Sequence, residues 1–119
     1  MSNHYKRKTM VEIEGGDHQM MMPNYVTHPG EVIMDEIEYL QIRQKDFAER
    51  IGFSASLVNQ ILKCKRPVNT EFAMLTEAAI GIPADLLLRM QARYDKWKTE
   101  QKPGFMEKLK SIQKFAAAL

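Results

Sequence analysis

The sequence predicts an all-α fold, and three observations carry that prediction. From residue 29 onward, apolar residues recur at three- and four-residue spacing, the period of one helix face. Gly52, Gly81, Pro83 and Pro103-Gly104 fall at the boundaries of these stretches, where they punctuate helices instead of breaking them. His28, Ser54 and Thr70 stand where a helix N-cap is needed, each with a side-chain acceptor for an orphan amide.

Taken in order, residues 1–24 are polar and carry no useful periodicity. Gly15-Gly16-Asp17 is a breaker and Met20-Met21-Met22-Pro23 begins no element, so the stretch reads as a flexible N-terminal arm. It holds one basic patch, Lys6-Arg7-Lys8, and one conceivable strand, Thr9 to Ile13. Order is expected from about Tyr25. His28 caps a helix with Pro29 first and Glu31 third, where a carboxylate suits the positive helix end. That helix runs to about Leu40 and turns Ile33, Ile37 and Leu40 inward.

The next stretch, Gln44 to Leu62, reads as two short helices joined by a tight turn. Phe47, Ala48 and Ile51 form the apolar stripe of the first, and Gly52 suits the left-handed backbone that ends it. Ser54 caps the second. At about 100° per residue, Leu57, Val58, Ile61 and Leu62 share one arc of that helix. Ala55, Ser56, Asn59, Gln60 and Lys63 share the opposite one. Small residues there admit close approach to a groove, and amides can donate to and accept from base edges. A face made only for solubility would more often carry Glu and Lys. This pattern points to a helix-turn-helix whose second helix reads DNA.

Beyond it, Lys63-Cys64-Lys65-Arg66-Pro67 is a short basic loop. Thr70 is the expected cap of a fourth helix with Phe72, Leu75 and Ala79 inward, ended by Gly81. Pro83 opens a fifth helix with Leu87, Met90, Tyr94 and Trp97 on one stripe, and Pro103-Gly104 ends it. Phe105, Leu109, Ile112, Ala116 and Leu119 make the stripe of a last, amphipathic helix. The organisation expected is therefore an arm over 1–24, a helix-turn-helix domain over 25–101 and a C-terminal helix over 102–119.

Composition agrees. The chain has 119 residues, enough for one modest core, and its 45% hydrophobic and 27% charged residues are those of an ordinary globular domain. No apolar run approaches the roughly 20 residues needed to cross a bilayer, and the N-terminus lacks the apolar core of a signal peptide. With Cys64 as the single cysteine, the expectation is a cytoplasmic protein without an internal disulfide. The net charge of +2 hides an uneven distribution. Arg43, Lys45, Arg50, Lys63, Lys65 and Arg66 face only Asp46 and Glu49 between residues 43 and 66. Glu31, Asp35, Glu36 and Glu38 stand together on the first helix with no cation among them. A module that holds phosphates on one side has this footprint.

Nothing points to catalysis. His4, His18 and His28 lie in or beside the arm, Cys64 has no histidine at a motif spacing, and no glycine-rich phosphate loop occurs. No catalytic residue, metal ligand or cofactor is expected.

Gln44, Ala48, Gly52, Val58 and Ile61 stand at the intervals of phage-repressor-like (XRE-type) helix-turn-helix proteins. Thr27-His28-Pro29-Gly30-Glu31, and Leu88-Arg89-Met90-Gln91 followed by Tyr94-Asp95, extend the likeness, and from about Tyr25 to Trp97 the chain resembles HigA-type antitoxins of bacterial toxin–antitoxin modules. The resemblance implies a five-helix DNA-binding domain, here with the arm and an extra C-terminal helix. It implies a homodimeric repressor of its own operon that binds a palindromic double-stranded operator and neutralises a HigB-type, mRNA-cleaving toxin. Carried over, Ala55, Ser56, Asn59 and Gln60 match base-facing positions. Gln44 matches a glutamine that meets a phosphate, and Arg43, Lys45, Ser54, Lys63, Lys65 and Arg66 are expected along the DNA backbone. Four positions depart from the family. Arg43 and Ile82 stand where a Ser or Thr cap is usual, which predicts the loss of about 1 kcal/mol per helix. Leu86 and Leu87 replace an aromatic pair. A stand-alone XRE-type regulator without a toxin partner is the alternative reading.

Overall fold

The computed structural model describes residues 26–118; the arm, the strand considered at Thr9 to Ile13, and Leu119 lie outside the described residues. Among those described, all regular structure is helical, in six elements: α1 Pro29–Tyr39, α2 Gln44–Ile51, α3 Ala55–Leu62, α4 Thr70–Ile80, α5 Ala84–Glu100 and α6 Phe105–Ala118.

The first five helices share one core. Ile33 and Ile37 of α1, Phe47, Ala48 and Ile51 of α2, and Val58, Ile61 and Leu62 of α3 are all buried, as their spacing requires. Phe72 of α4 lies at the centre with no exposed surface. Its ring meets those of Phe47 at 6.3 Å and Phe53 at 5.3 Å, both edge to face, an arrangement that adds specific geometry to the area buried. Truncating such a side chain to alanine typically costs about 3–5 kcal/mol.

Helix α4 is turned relative to the expected stripe. Phe72, Ala73, Thr76 and Ile80 are its buried residues, while Leu75 and Ala79 are only half-buried against the core edge. Ala73 and Thr76, both fully buried, are small enough for α4 to lie close to α2 and α5, which it contacts. Its cap is also corrected. Asn69 is the N-cap, with Oδ1 accepting from the Phe72 amide at 2.8 Å, and Thr70 is the first helical residue. Both residues are good caps; Val68, 2% exposed and held by its own amide, decides which one stands at the end.

The two missing caps have different outcomes. At Arg43 no side chain caps α2, and the guanidinium instead pairs with Asp46 at 3.0 Å on the surface, where such pairs contribute little. Ahead of α5, Pro83 occupies the N-cap and Ile82 is buried. Glu77, at the end of α4, accepts from the Ala84 amide at 3.2 Å and replaces the absent cap from outside the helix. A carboxylate there also suits the helix dipole. Leu87 of the replaced aromatic pair is fully buried and Leu86 half-buried.

Helix α6 turns back at Gly104 and packs on α5. Its stripe is divided. Phe105 and Leu109 line an open groove with Ala92, Asp95, Lys96, Thr99 and Glu100, whereas Ile112 is 55% exposed and Met106 44% exposed.

Candidate nucleic-acid interface

The turn between α2 and α3 is set by backbone geometry. Gly52 ends α2 at φ 79°, a left-handed conformation, with open space where a side chain would stand. The Phe53 amide reaches back to the Ala48 carbonyl at 3.0 Å and closes the helix end. Ser54 then caps α3, its hydroxyl accepting from the Leu57 amide at 3.1 Å. The hydroxyl proton is left available to an outside acceptor.

Val58, Ile61 and Leu62 fix the roll of α3 by burial. Ala55, Ser56 and Lys63 are then exposed, and Asn59 and Gln60 half-exposed. The residues expected to read bases are thus brought onto one accessible side. Arg43, Lys45, Lys63, Lys65 and Arg66 are also exposed, and Gln44 is half-buried at the start of α2. Past α3 the chain turns sharply, with Cys64 at φ 65° and the Lys65 amide bonded to the Gln60 carbonyl at 2.8 Å. Arg66 then points back along α3, and its Nε donates to Oε1 of Gln60.

Two buried polar residues hold this loop. His28 caps α1, with Nδ1 accepting from the Gly30 amide at 2.8 Å. It is also hydrogen-bonded to the Arg66 backbone, and its ring meets Tyr94 edge-on at 4.7 Å. Because Nδ1 accepts, the imidazole is neutral. Burial lowers its pKa below the ordinary value of 6.5, against the raising effects of the Arg66 bond, Glu31 and Asp95. Gln91, only 6% exposed on α5, accepts from the Val68 amide at 2.8 Å and donates to Asp95 at 2.8 Å. One of these residues comes from each of the two stretches outside the helix-turn-helix that carry the resemblance. They clamp the C-terminal end of the basic loop, at Arg66 and Val68.

Sequence reasoning placed His28 as a cap and gave Gln91 no structural role. The available signal was an amide four residues after Leu87, on the buried side of α5. Gly30 has an equally direct reason. A Cβ at that position would stand 2.2 Å from the Ile61 carbonyl oxygen, so only glycine lets α1 lie this close to α3. Cys64 is half-buried, with Sγ 3.9 Å from Glu31; burial, and then Glu31, raise its thiol pKa. Among the described residues no cluster of His, Cys, Asp or Glu is arranged to hold a metal ion, and no helix is long and apolar enough to cross a membrane.

No family model and no curated protein matches the chain by sequence. Solved structures do. One, from Nostoc punctiforme, is a protein assigned as an antidote of a plasmid maintenance system. It is 28% identical, with a TM-score of 0.63 over 74% of this chain and 94% of that one. Another is an addiction module antidote of the HigA family from Coxiella burnetii, 22% identical, with a TM-score of 0.60 over 74% and 91%. Its fold is that of the HigA-type antitoxins. A Pseudomonas aeruginosa protein in complex with 18 bp of its operator DNA also shares the fold. It is 22% identical, with a TM-score of 0.60 over 75% of this chain and 90% of that one. The resemblance read from the two motif stretches and the helix-turn-helix is therefore matched by the three-dimensional fold.

Proposed function

We propose that this protein is a sequence-specific DNA-binding repressor acting in the cytoplasm as the antitoxin of a HigBA-type module. It represses its own operon and neutralises a HigB-type, mRNA-cleaving toxin. The observation that carries the reading is the accessible arc of α3, held in a helix-turn-helix and rimmed by cations. A fold shared with an operator-bound protein and with module antidotes supports it.

In this reading Ala55, Ser56, Asn59 and Gln60 face base edges. Gln44, Arg43, Lys45, Ser54, Lys63, Lys65 and Arg66 lie along the backbone, where phosphate contacts fix register. One such helix covers few bases, so the protein binds a palindrome as a homodimer with two readers about 34–36 Å apart. The partly unpartnered stripe of α6, beyond the 25–101 domain, is the proposed seam.

A gel shift on the promoter upstream of the gene tests the DNA half. Specific binding, lost by roughly 1–3 kcal/mol in Ser56→Ala, is expected. Co-expression with the neighbouring gene, followed by pull-down and growth measurement, tests the toxin half. Operator binding without complex or growth rescue would leave a stand-alone XRE-type regulator.

A further inference from the structure

Gln60 is not a free amide. Arg66 Nε donates to its Oε1, and because a guanidinium has donors only, the amide can be arranged in only one way. The oxygen faces Arg66 and the NH2 group faces away from it. Arg66 is itself positioned from below. Its backbone is hydrogen-bonded to buried His28, and the next buried residue, Val68, is tied to Gln91. The backbone that carries Arg66 is thus held in place, and its guanidinium meets Gln60 in the chain without DNA.

We infer that Gln60 and Arg66 act as one donor-only unit that selects guanine at a single operator position. The inference rests on the DNA-binding reading above. A free glutamine suits adenine, accepting from N6 while donating to N7. Here the acceptor is already engaged by a cation, and further guanidinium N–H groups stand beside it. Guanine offers two adjacent acceptors, O6 and N7, to such a surface. The amino groups of adenine and cytosine would bring donors against donors beside a positive charge. Arg66 is thus a specificity-determining positioning residue as well as a backbone contact.

Selection of binding sites from a random library by the full chain, repeated with three variants, tests this. Gln60→Ala identifies the position, as the one whose preference disappears. In the unmodified protein that position should hold guanine, favoured over adenine by roughly tenfold or more. Arg66→Ala frees the amide, so guanine and adenine should come to near parity there while other positions keep their preference. Arg66→Ala should fold, because the side chain is exposed and His28 bonds to the backbone. Lys65→Ala controls for lost charge: affinity should fall for all sequences, with a salt slope lower by about one unit and no change of base preference. Adenine at the Gln60 position, or a guanine preference untouched by Arg66→Ala, overturns the inference and leaves DNA binding intact. A library that yields no enriched sequence overturns the DNA-binding reading itself, and the inference with it.

Discussion

Replacing Gly30 by alanine tests whether the approach of α1 to α3 is a designed contact of the fold. The added Cβ would lie 2.2 Å from the Ile61 carbonyl oxygen, while ordinary contact begins near 3.4 Å. The helices must separate by about 1.2 Å, the difference of those distances, since a backbone carbonyl cannot rotate aside as a side chain can. A gap of 0.5–1 Å already forfeits about a quarter to a half of each dispersion contact. Val58, Ile61 and Leu62, at most 4% exposed, would all feel it. Overpacking of this kind costs about 1–3 kcal/mol, and alanine's better helix propensity returns less than about 1 kcal/mol so near the helix start. A net loss of about 2 kcal/mol lowers the Tm of a domain this size by roughly 8–16 °C. The same Ile61 carbonyl accepts from the Cys64 amide at 3.0 Å, so the turn that carries Lys65 and Arg66 should shift too. Operator affinity, measured well below the Tm, should therefore fall as well. Gly81→Ala is the control. It forces alanine to φ 84° with open space around it, and should cost about 1–2 kcal/mol without touching affinity. Thermal melts by circular dichroism and a binding titration decide the matter. A Gly30→Ala protein that melts with the unmodified chain would refute the reasoning.

Gln91→Ala leaves the buried Val68 amide without its acceptor, and denaturant unfolding should show a loss of about 1–3 kcal/mol. For His28 the sign follows from its lowered pKa: the unfolded chain binds the proton more readily, so stability is full above pH 6.5 and falls as pH drops below it toward the folded value. Melts across pH should show that slope, and His28→Asn, which keeps a capping acceptor, should flatten it. Ile112→Asp places a charge on the exposed part of the α6 stripe. Light scattering should then find a folded monomer with weak half-site binding; a persistent dimer would move the seam away from α6.

The parts of this protein that were legible in its sequence are those whose causes lie within a turn or two of chain. The Gly52 turn, the Ser54 and His28 caps and the opposed arcs of α3 follow from residues within four positions of one another, and the structure has them where the spacing put them. Tertiary packing decided the rest. Which residues of α4 face inward depended on having neighbours on more than one side, so Ala73 and Thr76 went to the centre and Leu75 to its edge. The cap of α5 came from Glu77, seven residues before the amide it serves, and the anchor of the basic loop came from Gln91, twenty-three residues beyond Val68. The glycine of α1 was needed because of a carbonyl on α3. Helix periodicity and capping are short-range, being set by a rotation of about 100° per residue and by hydrogen bonds spanning three or four residues. Such signals show which face of a helix must be covered. The groups that meet buried amides and close contacts are chosen only when distant segments pack together, because desolvation then forces each polar group to find a partner wherever the fold has placed one.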